Sequence, residues 1–190
     1  MLLYVEITYL KGIKMETNIL LYIQENLRFD FLTPIMIFLT YLGDAGIVWI
    51  VLSVLFLIFK KTRKTGIMTS TALIFDLLTV NVFLKNLVAR TRPYEVIEGL
   101  TILIEKQSDF SFPSGHTAAS FGFVSVLWFS KNKKLWAPLT LLAILISYTR
   151  LYVGVHYMTD VLGGALVGTL CGFFAVLVVN FIEKKIKKSA

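Results

Sequence analysis

Both histidines of this chain stand beside residues suited to acid-base and nucleophilic work. His156 precedes Asp160 by four residues, so on one helical turn the carboxylate faces the imidazole and can hold its tautomer and orientation. His116 closes the run Pro113-Ser114-Gly115-His116, directly before an apolar stretch. That run puts a hydroxyl and backbone N–H groups at a helix N-terminus, where anions bind. Lys85 and Arg92 project from one face if helix continues to Pro93. Arg150 adds a third cation, whose fork suits phosphate oxygens. The set comprises a nucleophile, a proton donor, an orienter and a positive cradle for charge developing on a transferring phosphoryl group. Such chemistry calls for no metal and no cofactor.

These groups must be positioned by a chain that is not built like a soluble globule. Of its 190 residues 56% are hydrophobic and only 16% charged, against roughly a quarter charged in soluble domains. The length fits one domain. We expect an all-α, polytopic membrane protein with six spans, over 31–42, 46–59, 66–87, 117–129, 135–148 and 161–182. The net charge of +7 is not spread as a nucleic-acid-binding face would be. It is concentrated in Lys60, Lys61, Arg63 and Lys64, then Lys131, Lys133 and Lys134, then Lys184, Lys185, Lys187 and Lys188. By the positive-inside rule these blocks face the cytoplasm, as do both termini, and the connections 43–45, 91–116 and 149–160 lie outside. Trp49, Trp128 and Trp136 suit aromatic belts. Residues 15–28, with Ile19, Leu20, Ile23 and Leu27 opposite Glu16, Gln24 and Arg28, read as an amphipathic interfacial helix. Residues 1–14 lack the order of a cleavable signal and read as an N-terminal extension to a single domain over 15–190. Cys171 has no partner for a disulfide.

Three patterns coincide on the outer side: Lys85, six residues, Arg92-Pro93; Pro113-Ser114-Gly115-His116; and Arg150, five residues, His156, three residues, Asp160. Together they resemble the signature motifs of the type 2 phosphatidic acid phosphatase family, which is related to vanadium haloperoxidases. Thr149 stands where the family usually has serine. The resemblance implies an integral membrane lipid phosphatase that forms a phosphohistidine intermediate. It casts His156 as nucleophile, Asp160 as its orienter and His116 as the acid that protonates the leaving oxygen. Lys85, Arg92, Ser114, Gly115 and Arg150 then bind phosphate. The small size looks most like bacterial members acting on undecaprenyl diphosphate, or next on phosphatidylglycerophosphate. The implied partners are a phosphorylated membrane lipid and the bilayer, with oligomeric state left open.

Two other function classes use the same residues. A vanadate-dependent haloperoxidase could employ the cradle, and a non-catalytic lipid-anion binding or transport protein would need the cations but not the His156 and Asp160 pair. Beyond the motifs, Arg90 is expected to pair with a lipid headgroup. Asp76 is expected to hydrogen-bond a neighbouring helix, with Asn81 nearby. Gly164, Gly168 and Gly172 form a ridge suited to close helix packing within the bundle. The 91–113 connection, partly apolar over 96–104, is expected to form a cap or lid. With a free histidine near ~6.5, a neutral nucleophile and a protonated acid predict a bell-shaped pH profile.

Overall fold

The structure, a computed structural model, describes residues 2–130 and 134–189, with side chains from residue 14 onward. Lys131 and Lys133 of the second basic block lie outside the described residues. The described residues are all-helical, without strands: α1 (Leu2–Asn26), α2 (Thr33–Leu42), α3 (Ile47–Ile58), α4 (Arg63–Asp76), α5 (Lys85–Val88), α6 (Pro93–Val96), α7 (Gly115–Phe129), α8 (Trp136–Tyr152) and α9 (Met158–Ser189). A π-helical stretch, Leu77–Leu84, joins α4 to α5. Among the described residues two continuous stretches are long and apolar enough to cross a bilayer, Arg63–Val96 and Met158–Ser189. At 1.5 Å per residue α7 and α8 reach only about 22 and 25 Å.

Residues α2 and α3 depart from the expected pair of crossings. They meet at a 48° bend rather than folding back, and only together are they long and apolar enough to cross a bilayer. The Asp44–Gly46 turn, with Ala45 at φ 49° and Gly46 at φ 69°, is thus a kink in one rod and not an outer hairpin. The contacts agree: Asp44 meets His116, Trp49 meets Ser120 and Phe56 meets Phe123, so α3 descends alongside α7. Trp49 accordingly belongs to the core, fully buried with its indole N–H donating to Ser120 at 2.9 Å, and to no aromatic belt. Trp128 and Trp136 do pair at the far end, with centroids 4.7 Å apart.

The glycine ridge decides how closely α7 and α9 approach. A Cβ at Gly168 would lie 2.1 Å from the Ala118 carbonyl oxygen, and one at Gly172 would lie 1.9 Å from Ser125 Oγ. The ridge therefore packs within the bundle, as expected. The distal ends gather the basic residues, with Lys64 of α4 bonded to Glu183 of α9 at 2.5 Å.

The second half of α1 lies at the opposite end. Leu20 and Ile23 pack with Ile97, Leu100 and Leu151 to Val155. Gln24 donates to the Gly99 carbonyl and Arg28 to that of Tyr152. The polar face of this helix therefore turns inward at Glu16, which is 6% exposed, while Met15 and Tyr22 are exposed. Residues 97–104 carry no helix; they form a cap held under α1.

Candidate active site

The first motif is assembled by a helix break and not by helix periodicity. After α5 the chain turns through Ala89 at φ 47°, and Arg92 is extended (φ −75°, ψ 151°). The two cations nonetheless converge, because both hold the carboxylate of Asp109. Lys85 Nζ pairs with one oxygen, and Arg92 Nη2 donates to the other at 2.5 Å. Arg92 also donates to the Asp109 and Val155 carbonyls at 2.9 and 2.8 Å. Burial raises the Asp109 pKa, but the two cations more than offset this and hold its carboxyl below the usual range. The π-helical stretch that precedes Lys85 changes helix register where a strict α-helix would aim the lysine elsewhere.

In the second motif Ser114 is the N-cap of α7, its Oγ accepting from Thr117 N at 3.5 Å and Thr117 Oγ1 at 3.1 Å. This satisfies part of the unpaired helix start. Gly115 lies beside Lys85: a Cβ there would be 3.8 Å from Nζ and 3.2 Å from Asn81 Oδ1. His116, on the first turn, faces Asp44 with Nε2 to Oδ1 at 2.8 Å. The 72-residue separation of Asp44 from His116 leaves no local signal of this pair in the sequence.

The third motif straddles the end of α8 and the start of α9. Arg150 is fully buried and donates from Nη1 to Thr40 Oγ1 at 2.5 Å. His156 sits in the turn between the helices, 2% exposed. Its Nδ1 lies 3.4 Å from Asp160 Oδ2 and its Nε2 lies 3.4 Å from Arg92 Nη1. Asp160 Oδ2 also accepts from Ser111 Oγ at 2.5 Å and from the Tyr157 backbone N–H at 2.9 Å. Ser111, like Asp44, is a partner that sequence spacing did not reveal. Burial, reinforced by the Arg150 and Arg92 charges and only partly opposed by Asp160, lowers the His156 pKa to about 3. The imidazole is thereby kept neutral at ordinary pH.

Lys85, Arg92, Gly115, His116, Arg150 and His156 all line one cavity of about 720 Å³. Ser114 stands just behind its wall as the helix cap. The cavity continues away from these charges past Ile50, Val54, Leu73, Ile74 and Leu77, where α3 and α4 leave an apolar passage. Asp76 lies along this passage, against Gly122 and beside the Cys171 thiol. It thus packs between α7 and α9, but neither carboxylate oxygen has a hydrogen-bond partner among the described residues. The bond to a neighbouring helix expected of Asp76 is therefore not made, and Asn81 faces Gly115 instead. Arg90, expected at a headgroup, instead binds two carboxylates, Asp160 Oδ1 and Glu16 Oε2, each at 2.5 Å. Among the described residues no group of three or more His, Cys, Asp or Glu is placed to hold a metal ion.

Known proteins resemble this chain in sequence and in overall fold. The chain is 37% identical over 146 residues to an undecaprenyl-diphosphatase of Sulfolobus acidocaldarius, covering 76% of this chain and 69% of that one. It is 30% identical over 172 residues to undecaprenyl-diphosphatase BcrC of Bacillus subtilis, covering 83% and 86%. In three dimensions it resembles the transmembrane PAP2-type phosphatidylglycerolphosphate phosphatase of Bacillus subtilis, with a TM-score of 0.72 at 28% identity over 93% of this chain and 88% of that one. It also resembles LpxE of Aquifex aeolicus, with a TM-score of 0.70 at 30% identity over 86% and 93%. Since the family model of the PAP2 superfamily matches residues 65–184, which carry all three motifs, the chain belongs to that superfamily.

Proposed function

We propose that this protein hydrolyses a phosphate monoester or diphosphate of a membrane lipid through a phosphohistidine intermediate, with undecaprenyl diphosphate the favoured substrate and phosphatidylglycerophosphate the next. The enzyme class is that of its relatives, which are membrane lipid phosphatases. The observation that carries the mechanism is the two-sided environment of His156. Its Nδ1 edge is taken up by Asp160, while Nε2 opens beside Arg92 into the cavity that also receives Lys85, Arg150 and the start of α7. Nε2 attacks phosphorus, and the bond from phosphorus to the lipid or bridging oxygen breaks. His116, oriented by Asp44, donates its proton to that oxygen. Water then attacks the phosphohistidine, giving its proton to His116 and releasing inorganic phosphate as the N–P bond breaks. Lys85, Arg92, Arg150 and the N–H groups near Ser114 and Gly115 stabilise the charge on the phosphoryl oxygens.

The apolar passage between α3 and α4 suits a lipid chain lying in the bilayer while the phosphate reaches the cations. In this reading the site end of the bundle is extracytoplasmic. The clustering of Lys60, Lys61, Arg63, Lys64 and Lys184 to Lys188 at the far end supports that orientation, with the C-terminal end of α9 cytoplasmic. In this reading the α2–α3 rod, the rod begun by α4, and α7, α8 and α9 cross the bilayer, one crossing fewer than the six expected because 31–42 and 46–59 form one rod. The chain therefore enters α2 from the extracytoplasmic side, where the second half of α1 lies. Residues 15–190 form the single catalytic domain.

The test is phosphate release by purified protein with a chelator present, offering undecaprenyl diphosphate, phosphatidylglycerophosphate and phosphatidic acid in parallel. Turnover that survives the chelator and is lost in His156→Ala is the expected result. Undiminished turnover in that variant removes the mechanism. A protein that binds these lipids without releasing phosphate is a binding or transport protein.

A further inference from the structure

Arg90 lies outside the phosphate cradle, yet both of its terminal nitrogens are bonded to carboxylates. Its Nη1 donates to Asp160 Oδ1 at 2.5 Å and to Thr159 Oγ1 at 2.7 Å. Its Nη2 donates to Glu16 Oε2 at 2.5 Å. The guanidinium also stacks over the Tyr157 ring, 3.9 Å from the centroid. Glu16 completes the loop, since its Oε1 accepts from the Thr159 backbone N–H at 3.1 Å and from Thr159 Oγ1 at 2.6 Å. Asp160 is fully buried and Glu16 nearly so. Two carboxylates in that setting would repel without the cation between them, and a planar fork bridges them in a fixed geometry that a single ammonium supplies only in part.

We infer that Arg90 and Glu16 are positioning residues for Asp160, a clamp through which the N-terminal helix α1 fixes the orienter of the His156 nucleophile. The geometry divides the labour at Asp160. Oδ2 faces His156 Nδ1 and is trimmed by Ser111 and the Tyr157 N–H, whereas Oδ1 is given over to Arg90. Rotation of the carboxylate about its χ2 would break the bonds on both oxygens at once. Glu16 then stops Arg90 from swinging away, and by binding Thr159 it also pins the first turn of α9. The long separations, 74 residues from Glu16 to Arg90 and 70 from Arg90 to Asp160, make the clamp a product of tertiary structure.

This inference rests on the proposed role of His156, and the experiment separates the two. Initial rates on a short-chain diphosphate lipid are measured for Arg90→Met, Arg90→Lys, Glu16→Gln and His156→Ala. Inhibition by inorganic phosphate and thermal unfolding in detergent are measured on the same preparations. A positioning role predicts a kcat loss of about 10- to 100-fold in Arg90→Met, in line with other groups that orient a catalytic ligand from behind. KM and phosphate inhibition stay near wild type. Glu16→Gln, which keeps the shape and the Thr159 acceptor, loses less, and Arg90→Lys recovers part of the rate. In an Asp160→Asn background Arg90→Met costs little more, because its route to the chemistry is already cut. A rise in KM and in the phosphate inhibition constant at unchanged kcat would make Arg90 a substrate-binding residue and overturn the inference. So would a fall in melting temperature with full kcat per folded molecule, or a full-sized further loss in the Asp160→Asn background. If His156→Ala keeps full turnover, the phosphohistidine reading fails first; if it is inactive while Arg90→Met is unimpaired, only the clamp fails.

Discussion

The two histidines occupy contrasting regions of one cavity. His156 is sealed, 2% exposed, against an aspartate that water does not reach, and that aspartate is held from three further directions. The His116 side chain is 14% exposed, and its partner Asp44 is 49% exposed on a kinked turn. The difference follows from what each group must do in the proposed cycle. A nucleophile profits from a fixed, neutral ring, which burial enforces. A general acid and base must exchange its proton once per turnover, which requires access to water. The comparison also explains why one histidine draws on a network and the other on a single partner.

The sharpest way to break this contrast is to remove each histidine in turn. His156→Ala is expected to lower kcat by about 10⁴-fold or more, as removal of a covalent nucleophile does; steady-state phosphate release reads it. Next comes Asp160→Asn, which leaves the space filled but favours the wrong tautomer, and about 10²- to 10⁴-fold is expected in kcat. His116→Ala is expected to cost about 10²- to 10⁴-fold on a lipid leaving group. The same variant should lose much less on a phenolic phosphate ester, whose oxygen departs without a proton. Equal losses on both substrates would deny His116 the role of acid. Asp44→Asn should repeat that leaving-group dependence at smaller amplitude, and a uniform loss on both esters would make Asp44 a packing residue only.

The pH response sharpens the contrast further. The pKa of His156 is lowered to about 3 in the folded chain, against ~6.5 when unfolded. The folded state thus binds fewer protons, and stability is lost as pH falls from ~6.5 towards 3. Melting temperature against pH should show that slope in the wild type and a shallower one in His156→Gln. For catalysis the acidic limb of the expected bell therefore does not come from His156 in the range pH 5 to 8. A limb near pH 6.5 that disappears only in His156 variants would contradict the sealed environment.

The smallest effect tests what holds the two regions at their mutual distance. His116 begins α7 and Asp160 lies in the first turn of α9, and these helices touch along Gly164, Gly168 and Gly172. Gly168→Ala forces its Cβ toward the Ala118 carbonyl oxygen, so it is expected to cost about 1–3 kcal/mol in stability as overpacking does. A modest fall in kcat should accompany it. Unfolding by denaturant together with kinetics at low temperature reads both.

What could be read from the chain alone is what short-range geometry dictates. A carboxylate four residues after a histidine shares its helical face, a serine before a glycine caps a helix, and glycines four apart make a flat ridge. The cap and the ridge reappear in three dimensions at Ser114 and Gly164 to Gly172, and His156 does meet Asp160, although from the turn before α9 and not from a shared helical face. Periodicity went wrong where the backbone left the helix. Lys85 and Arg92 meet across the break at Ala89 and not along a continuous face. The 31–42 and 46–59 runs read as two crossings because hydropathy carries no direction, and only the 48° bend makes them one rod.

Only tertiary structure decided which charges answer which. Asp44 reaches His116, Asp109 reaches Lys85 and Arg92, and Glu16 reaches Arg90 from separate elements. No local spacing encodes those pairs, because they exist only once the helices have buried their apolar faces and brought their ends together. The sequence by itself determined the family motifs and the membrane setting, since residue type and hydropathy are local properties. The packing of α1, α2, α7 and α9 then chose the partners that set each group's charge and orientation, because burial and proximity are properties of the folded chain.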